Sequence, residues 1–230
     1  MSEAEIEGFR QQSARLLSLM RLYKHGGDAA REKGGRVELE VGHYLESLAC
    51  CLEDFWCRRV WQPPHEASKN WSTMLGICEY AYKRCTAKEH SPLRGCASLV
   101  AASVYYQLAT ASLEVAREVT GAGADADAAT AVRDASGYLA DMARHEQASR
   151  ALLDAHNVAR LLPQTWAHCQ EAAVPLGDFE LRSHPHTKRW PPVAYPVGAT
   201  SSPLDIANFV RQLCHEFLDR SGLSLQAPKG

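Results

Sequence analysis

Apolar side chains recur every three or four positions along most of the chain, the period of a helix with one buried face. Ile6, Phe9, Leu16, Met20 and Tyr23 predict a first helix over 2–25, and Glu3, Glu5 and Glu7 suit the positive end of its dipole. His25-Gly26-Gly27 reads as its stop. Val37, Val41, Tyr44, Leu45, Leu48, Leu52, Phe55 and Trp56 mark a second helix over 36–60. Pro63-Pro64 closes it, since neither residue can donate a backbone hydrogen bond. Trp71, Leu75, Cys78, Tyr82 and Cys85 share one face of a third helix over 69–87.

Ser91-Pro92 reads as an N-cap followed by proline at the first helical position, opening a fourth helix that runs to about residue 119. It carries two apolar stripes, one through Leu93, Val100, Val104, Leu108 and Val115, the other through Leu99, Ala102, Tyr106, Ala109 and Leu113. Two stripes need neighbours on two sides, which places this helix centrally. A fifth helix is expected over 127–161, with a seam through Val132, Ala135, Leu139, Met142, Leu152 and Leu153, and Pro163 opens a short sixth. Tyr44, Leu52 and Glu53 are echoed by Tyr105, Leu113 and Glu114 at an offset of 61, as two similar helical hairpins would produce.

The periodicity then lapses. Six of the 11 prolines fall within 174–203, interleaved with Phe179, Leu181, Trp190, Val193, Tyr195 and Val197. That composition predicts an extended or polyproline II strip whose aromatics are pinned to a surface. Ser202-Pro203-Leu204-Asp205 restarts a helix, with Ile206, Val210, Leu213 and Phe217 on its apolar face and Gly222 at its end. The expected fold is all-α: an antiparallel bundle or short hairpin stack of six to seven helices. A helical core over 1–173 is followed by the extended segment 174–203, packed on that core, and a terminal helix over 204–222 of the same domain.

Composition refines this only slightly. The 230 residues are 46% hydrophobic and 23% charged, with 25 Lys and Arg against 27 Asp and Glu. The resulting net charge of −2 provides no overall field to attract nucleic acid or anionic lipid. The N-terminus lacks a signal or transit pattern and no apolar run reaches 18 uninterrupted residues, so a cytoplasmic protein without a membrane span is expected. Eight cysteines form no Cys-x-x-Cys pair and are expected to act as small buried hydrophobes.

Candidate chemistry is sparse. Phosphate-binding loops, the nucleophile elbow and the His-Glu-x-x-His pair are all missing from the sequence. Asp141 and His145 lie one helical turn apart, with His156 three turns on, and could offer a metal a carboxylate and an imidazole. His184 and His186, on either side of Pro185, could with His168 or His215 collect a soft divalent ion through their imidazoles. Arg182, Lys188 and Arg189 beside Trp190 form a cationic clamp with an aromatic platform, suited to an anionic ligand or nucleic acid. Cys214 and His215 are helix neighbours and cannot face one another as a nucleophile pair.

Polyproline segments lose little entropy on binding, and Trp and Tyr are favoured interface anchors. Phe179, Trp190, Pro191, Pro192 and Tyr195 are accordingly the expected partner-binding residues. The function expected from the sequence is a non-catalytic interaction or scaffold subunit within a larger protein complex, with no cofactor. A metal-dependent helical-bundle enzyme or sensor is the alternative, and anionic-ligand or nucleic-acid binding through 182–190 a weaker one.

Overall fold

A computed structural model of the chain describes residues 2–63, 66, 71–121, 125–171 and 193–225. Among these residues the regular structure is helical, without a strand. The helices are α1 (Glu3–Glu32), α2 (Val37–Arg58), α3 (Trp71–Arg84), α4 (Ser91–Gly121), α5 (Asp125–Leu152), α6 (Ala155–Leu161), α7 (Pro163–Glu171) and α8 (Pro203–Arg220). The all-α class is as the sequence predicts.

Two helices organise the core. α2 packs against α1, α3, α4 and α8, and α4 against α2, α3, α5 and α8. Ser13 meets Asp54 and Ser47 meets Met20, so α1 and α2 run antiparallel. Gly95 meets Leu152 and Leu153 while Tyr105, further along α4, meets Tyr138 and His145, earlier in the chain, and the same holds for α4 and α5. Leu45, Leu48 and Leu52 of α2, Leu93, Leu99 and Val104 of α4, and Ile206, Phe209 and Leu213 of α8 form one apolar cluster. A smaller cluster of Leu16, Tyr23, Cys50 and Cys57 joins α1 to α2. The Lys88–Gly121 stretch is long and apolar enough, by length and composition, to cross a membrane, but most of its apolar window is buried within this fold.

Three helix boundaries differ from the predicted ones, each for a local reason. α1 does not stop at Gly26-Gly27. Those glycines let α2 approach: a Cβ on Gly26 would lie 2.8 Å from His43 Nδ1, and one on Gly27 2.7 Å from the Tyr44 ring. The helix ends instead at Gly34, which takes φ 62° while the Gly34 and Gly35 amides donate to the Arg31 and Ala30 carbonyls. Gly222, at φ 68°, ends α8 with the same pattern of bonds, as predicted.

Ser91 is not an N-cap, because a 3₁₀ turn over Lys88–His90 runs straight into α4 and leaves Ser91 with helical dihedrals. The expected fifth helix breaks after Leu152, giving eight α-helices among the described residues where six to seven helices were expected. There the Asp154 carboxylate accepts from the Asn157 amide at 2.8 Å and starts α6, while Leu153 is buried over Gly95, which has no side chain to obstruct it.

The 61-residue echo is not matched by environment. Leu52 is 0% exposed, while Leu113, on the outer half of α4, is 47% exposed. Of the expected extended segment, residues 193–202 are described and lie against the core, with Val193 and Ala199 buried. Ser202 caps α8 by accepting from the Asp205 amide, with Pro203 in its first turn.

Candidate functional site

Several residues singled out from the sequence, namely Phe179, Arg182, His184, His186, Lys188, Arg189, Trp190, Pro191 and Pro192, lie outside the described residues. Tyr195 is turned towards the chain's own core. Its hydroxyl donates to the Leu153 carbonyl at 2.6 Å, and its ring stands edge-on to Trp166 at 5.4 Å and lies 6.3 Å from Phe209. Asp141 pairs with Arg144 at 2.9 Å, and His145 stacks on Tyr105 at 5.6 Å. Burial holds His145 below the ordinary imidazole pKa, with Arg144 adding to the effect. His156 is exposed on α6. Glu40 and His43 of α2 have the Glu-x-x-His spacing that di-metal bundles use, but they diverge. Glu40 accepts from Tyr80 and Arg84, whereas His43 lies beside Gly26 and Tyr23. Among the described residues no three His, Cys, Asp or Glu side chains come together as a metal would need.

The most concentrated buried charge joins α2 to α8. Arg211, 3% exposed, donates through Nε to Glu46 at 3.1 Å, through Nη2 to the Cys50 sulfur at 3.3 Å, and through Nη1 to Glu53. His215 bonds to the other Glu46 oxygen at 2.9 Å. A charge this deep is tolerated only when paired and hydrogen-bonded, and here each partner satisfies the next. Cys214, the sequence neighbour of His215, points elsewhere and is within 3.9 Å of the Gly42 carbonyl. The eight cysteines are free thiols, seven of them buried, and burial pushes Cys50, Cys57 and Cys85 up to about 12. They remain protonated at neutral pH and so lack the thiolate that nucleophilic chemistry requires.

A second α8 carboxylate has a structural task. Glu216 accepts from the Gln164 and Thr165 amides at 3.0 and 2.7 Å and from the Thr165 hydroxyl at 2.7 Å. It thereby satisfies the first turn of α7, where orphan amides and the helix dipole favour an anion.

A concave site of a different kind lies between α1 and α3, over one face of α2. Leu17, Met20, Arg21 and Lys24 form one wall, and Trp71, Thr73, Met74 and Ile77 the other. Ser47, Cys51, Asp54, Phe55 and Arg58 of α2 form the floor, and the space between holds about 370 Å³. From Ser47 to Arg58 the floor is roughly 16 Å long at the helical rise. The walls stand apart because α1 touches the bundle chiefly through α2, while α3 packs onto α2 and α4. Phe55 and Trp71 of the lining stand edge to face with ring centroids 4.1 Å apart.

The floor mixes the apolar Cys51 and Phe55 with Ser47, Asp54 and Arg58, whose polar groups are engaged. Asp54 accepts from the Ser13 hydroxyl at 2.5 Å and lies 2.9 Å from Arg58 Nε. Burial raises the Asp54 pKa against the opposing pull of Ser13 and Arg58. Ser47 donates to the Met20 carbonyl at 2.9 Å. Lys24 pairs at 2.9 Å with Asp28, which also accepts from the Tyr44 hydroxyl at 2.7 Å. Arg21 is exposed and forms no ion pair among the described residues. The α1 side of the trough thus carries Leu17 and Met20 together with the cations Arg21 and Lys24, and the α3 side is largely apolar.

None of these groove residues stands out in the sequence as functional. Each contributes to an ordinary amphipathic helix, and only the packing of α1 and α3 on α2 assembles them. The available signal is that Leu17, Arg21 and Lys24 share a helical face, as do Trp71, Met74 and Ile77. No protein-family profile, curated protein or solved structure matches this chain.

Proposed function

We propose that this chain is a non-catalytic helical interaction or scaffold subunit that holds an apolar segment of another protein in the groove between α1 and α3. The observation that carries this role is the groove itself: a concavity of about 370 Å³ between α1 and α3 in which the partly buried Leu17, Met20 and Ile77 lie beside the buried Trp71, Met74 and Phe55 of the main apolar cluster. Protein interfaces place aromatic and methionine side chains in such central positions, ringed by polar groups. The concentrated buried charge is a structural tie between α2 and α8, and the thiols are kept protonated by burial, which further favours binding over catalysis.

The test compares the full chain with a variant carrying Leu17→Glu and Thr73→Glu. Both positions lie on the groove walls outside the two apolar clusters. Affinity purification from the native cells followed by mass spectrometry should recover partner proteins with the wild-type chain and lose them with the variant, whose melting temperature stays close to the parent's. Retention of the same partners by the folded variant would exclude the groove as the binding site.

A further inference from the structure

We infer that the outer half of the α4–α5 hairpin is the contact surface for a second copy of this chain, which joins it in a weak two-fold dimer. This goes beyond the proposed interaction role and uses a hairpin that does not line the groove.

α5 packs chiefly against α4. The seam between them is built from small residues: Gly95, Ala102, Ala109 and Ala116 recur every seven positions on α4, as do Ala128 and Ala135 on α5, and all of them are buried. Small side chains let the two helices approach closely and leave the larger ones on the flanks of the seam. In this antiparallel pair Gly95 is level with Leu152, and Tyr105 lies between Tyr138 and His145. The same register brings Tyr106 near the level of Leu139 and Leu113 near that of Val132. Each of these four directly follows a residue that faces the seam, so all four lie on one flank of the hairpin. The opposite flank holds Leu108, which packs against the main apolar cluster, so the bundle occupies that side. Leu113, Val132 and Leu139 are 47%, 47% and 40% exposed, and they are the exposed large hydrophobic side chains among the described residues. Such side chains scattered singly need no explanation, but three on one flank form a patch.

Charge, symmetry and area identify the occupant. Between Asp125 and Glu146 this flank of α5 carries only Ala129, Val132, Ser136, Leu139 and Ala143, and Thr110 separates Tyr106 from Leu113 on α4. A surface without charge offers nothing to a charged partner, and charge depletion is the mark of an interface core. The Tyr106–Leu139 and Leu113–Val132 pairs stand roughly 10 Å apart at the helical rise. A second copy turned end for end lays each pair on the other, with Thr110 and Ser136 near the two-fold axis and the two bundles at opposite ends, clear of one another. The patch is therefore complementary to itself, as a two-fold contact requires. The flank extends roughly 25 Å along the hairpin and roughly 20 Å across its two helices. Two copies would bury about 1,000 Å², the lower bound of a specific interface and the size of a weak, reversible one.

Sedimentation equilibrium of the full chain over roughly 1–100 μM should show the mass rising from 25.3 kDa towards twice that value, with a dissociation constant in the range of tens of micromolar. Leu113→Glu with Leu139→Glu should weaken association at least about tenfold by placing carboxylates against their own copies. Neither residue belongs to an apolar cluster, so the melting temperature should stay close to the parent's. Val132→Arg gives a second variant should that pair fail to fold. Ser136→Cys, near the axis, should form an intermolecular disulfide on mild oxidation, whereas Asp134→Cys, on the other flank, and the parent chain should not. A monomer throughout the concentration range, unchanged association of the folded variants, or a cross-link from position 134 in place of 136 would overturn the inference. The folded Leu17→Glu and Thr73→Glu variant should dimerise like the parent; loss of association there would move the contact to the groove and overturn the inference, while loss of its cellular partners alone leaves it standing.

Discussion

Arg211 joins two carboxylates and a sulfur from α2 to a single side chain of α8, and His215, one helical turn away, bonds to the remaining oxygen of Glu46. Burial opposes charge on His215, but the hydrogen bond and negative charge of Glu46, with Asp219 adding, leave its pKa above the ordinary imidazole value. A histidine whose folded pKa is raised stabilises the fold fully below its unfolded value, about 6.5, and loses that contribution as pH rises through the folded value. His43 and His145 act in the opposite sense. Burial lowers both, so their contribution is present above about 6.5 and is lost as pH falls through their folded values. The separate measurement is therefore a difference: His215→Gln should lower the melting temperature more at pH 6 than at pH 8.5. A destabilisation independent of pH would show that His215 acts through packing alone.

The glycines of α1 decide a question at the scale of the element. Alanine is a better helix former than glycine by about 1 kcal/mol, so Gly8→Ala, where a new Cβ meets nothing within 4 Å, should stabilise the fold by roughly 0.5–1 kcal/mol. Gly27→Ala would place its methyl 2.7 Å from the Tyr44 ring and should destabilise by about 1–3 kcal/mol despite the same gain in propensity. Urea denaturation of both variants checks the opposite signs, and a shared sign would mean that α1 and α2 are not in this register. The adjacent pair Gly26-Gly27 marks where sequence reading reaches its limit. The stripes of α2, α4 and α8 predict helices because each buries a broad apolar face, and Ser202-Pro203 and Gly222 predict the ends of α8 because their signals are local. Gly26-Gly27 reads as a stop, and only the neighbouring helix reveals it as a point of close approach. Asp154 begins α6 inside a continuous apolar seam, and periodicity does not register a break in which Leu153 stays buried.

At the scale of the whole molecule, the candidate site is a product of packing. Leu17 and Arg21 of α1, Cys51 and Phe55 of α2, and Trp71 and Met74 of α3 come from three separate helices and form no motif in any one of them. The aromatic strip that attracts attention in the sequence contributes Tyr195 to the chain's own core, where its hydroxyl is committed to Leu153. A fold organised on α2 and α4 leaves α1 attached mainly along one side, and the groove is the space this leaves open towards α3. The most direct test of that account installs a photo-reactive amino acid at Thr73, on the groove wall, and in a parallel chain at Thr130, exposed on α5, and irradiates the native cells. A protein adduct should form at position 73, disappear when Leu17→Glu is added, and be lacking at position 130. Adducts from position 130 alone, or an adduct at 73 that survives the folded Leu17→Glu variant, would contradict the groove as the site of interaction.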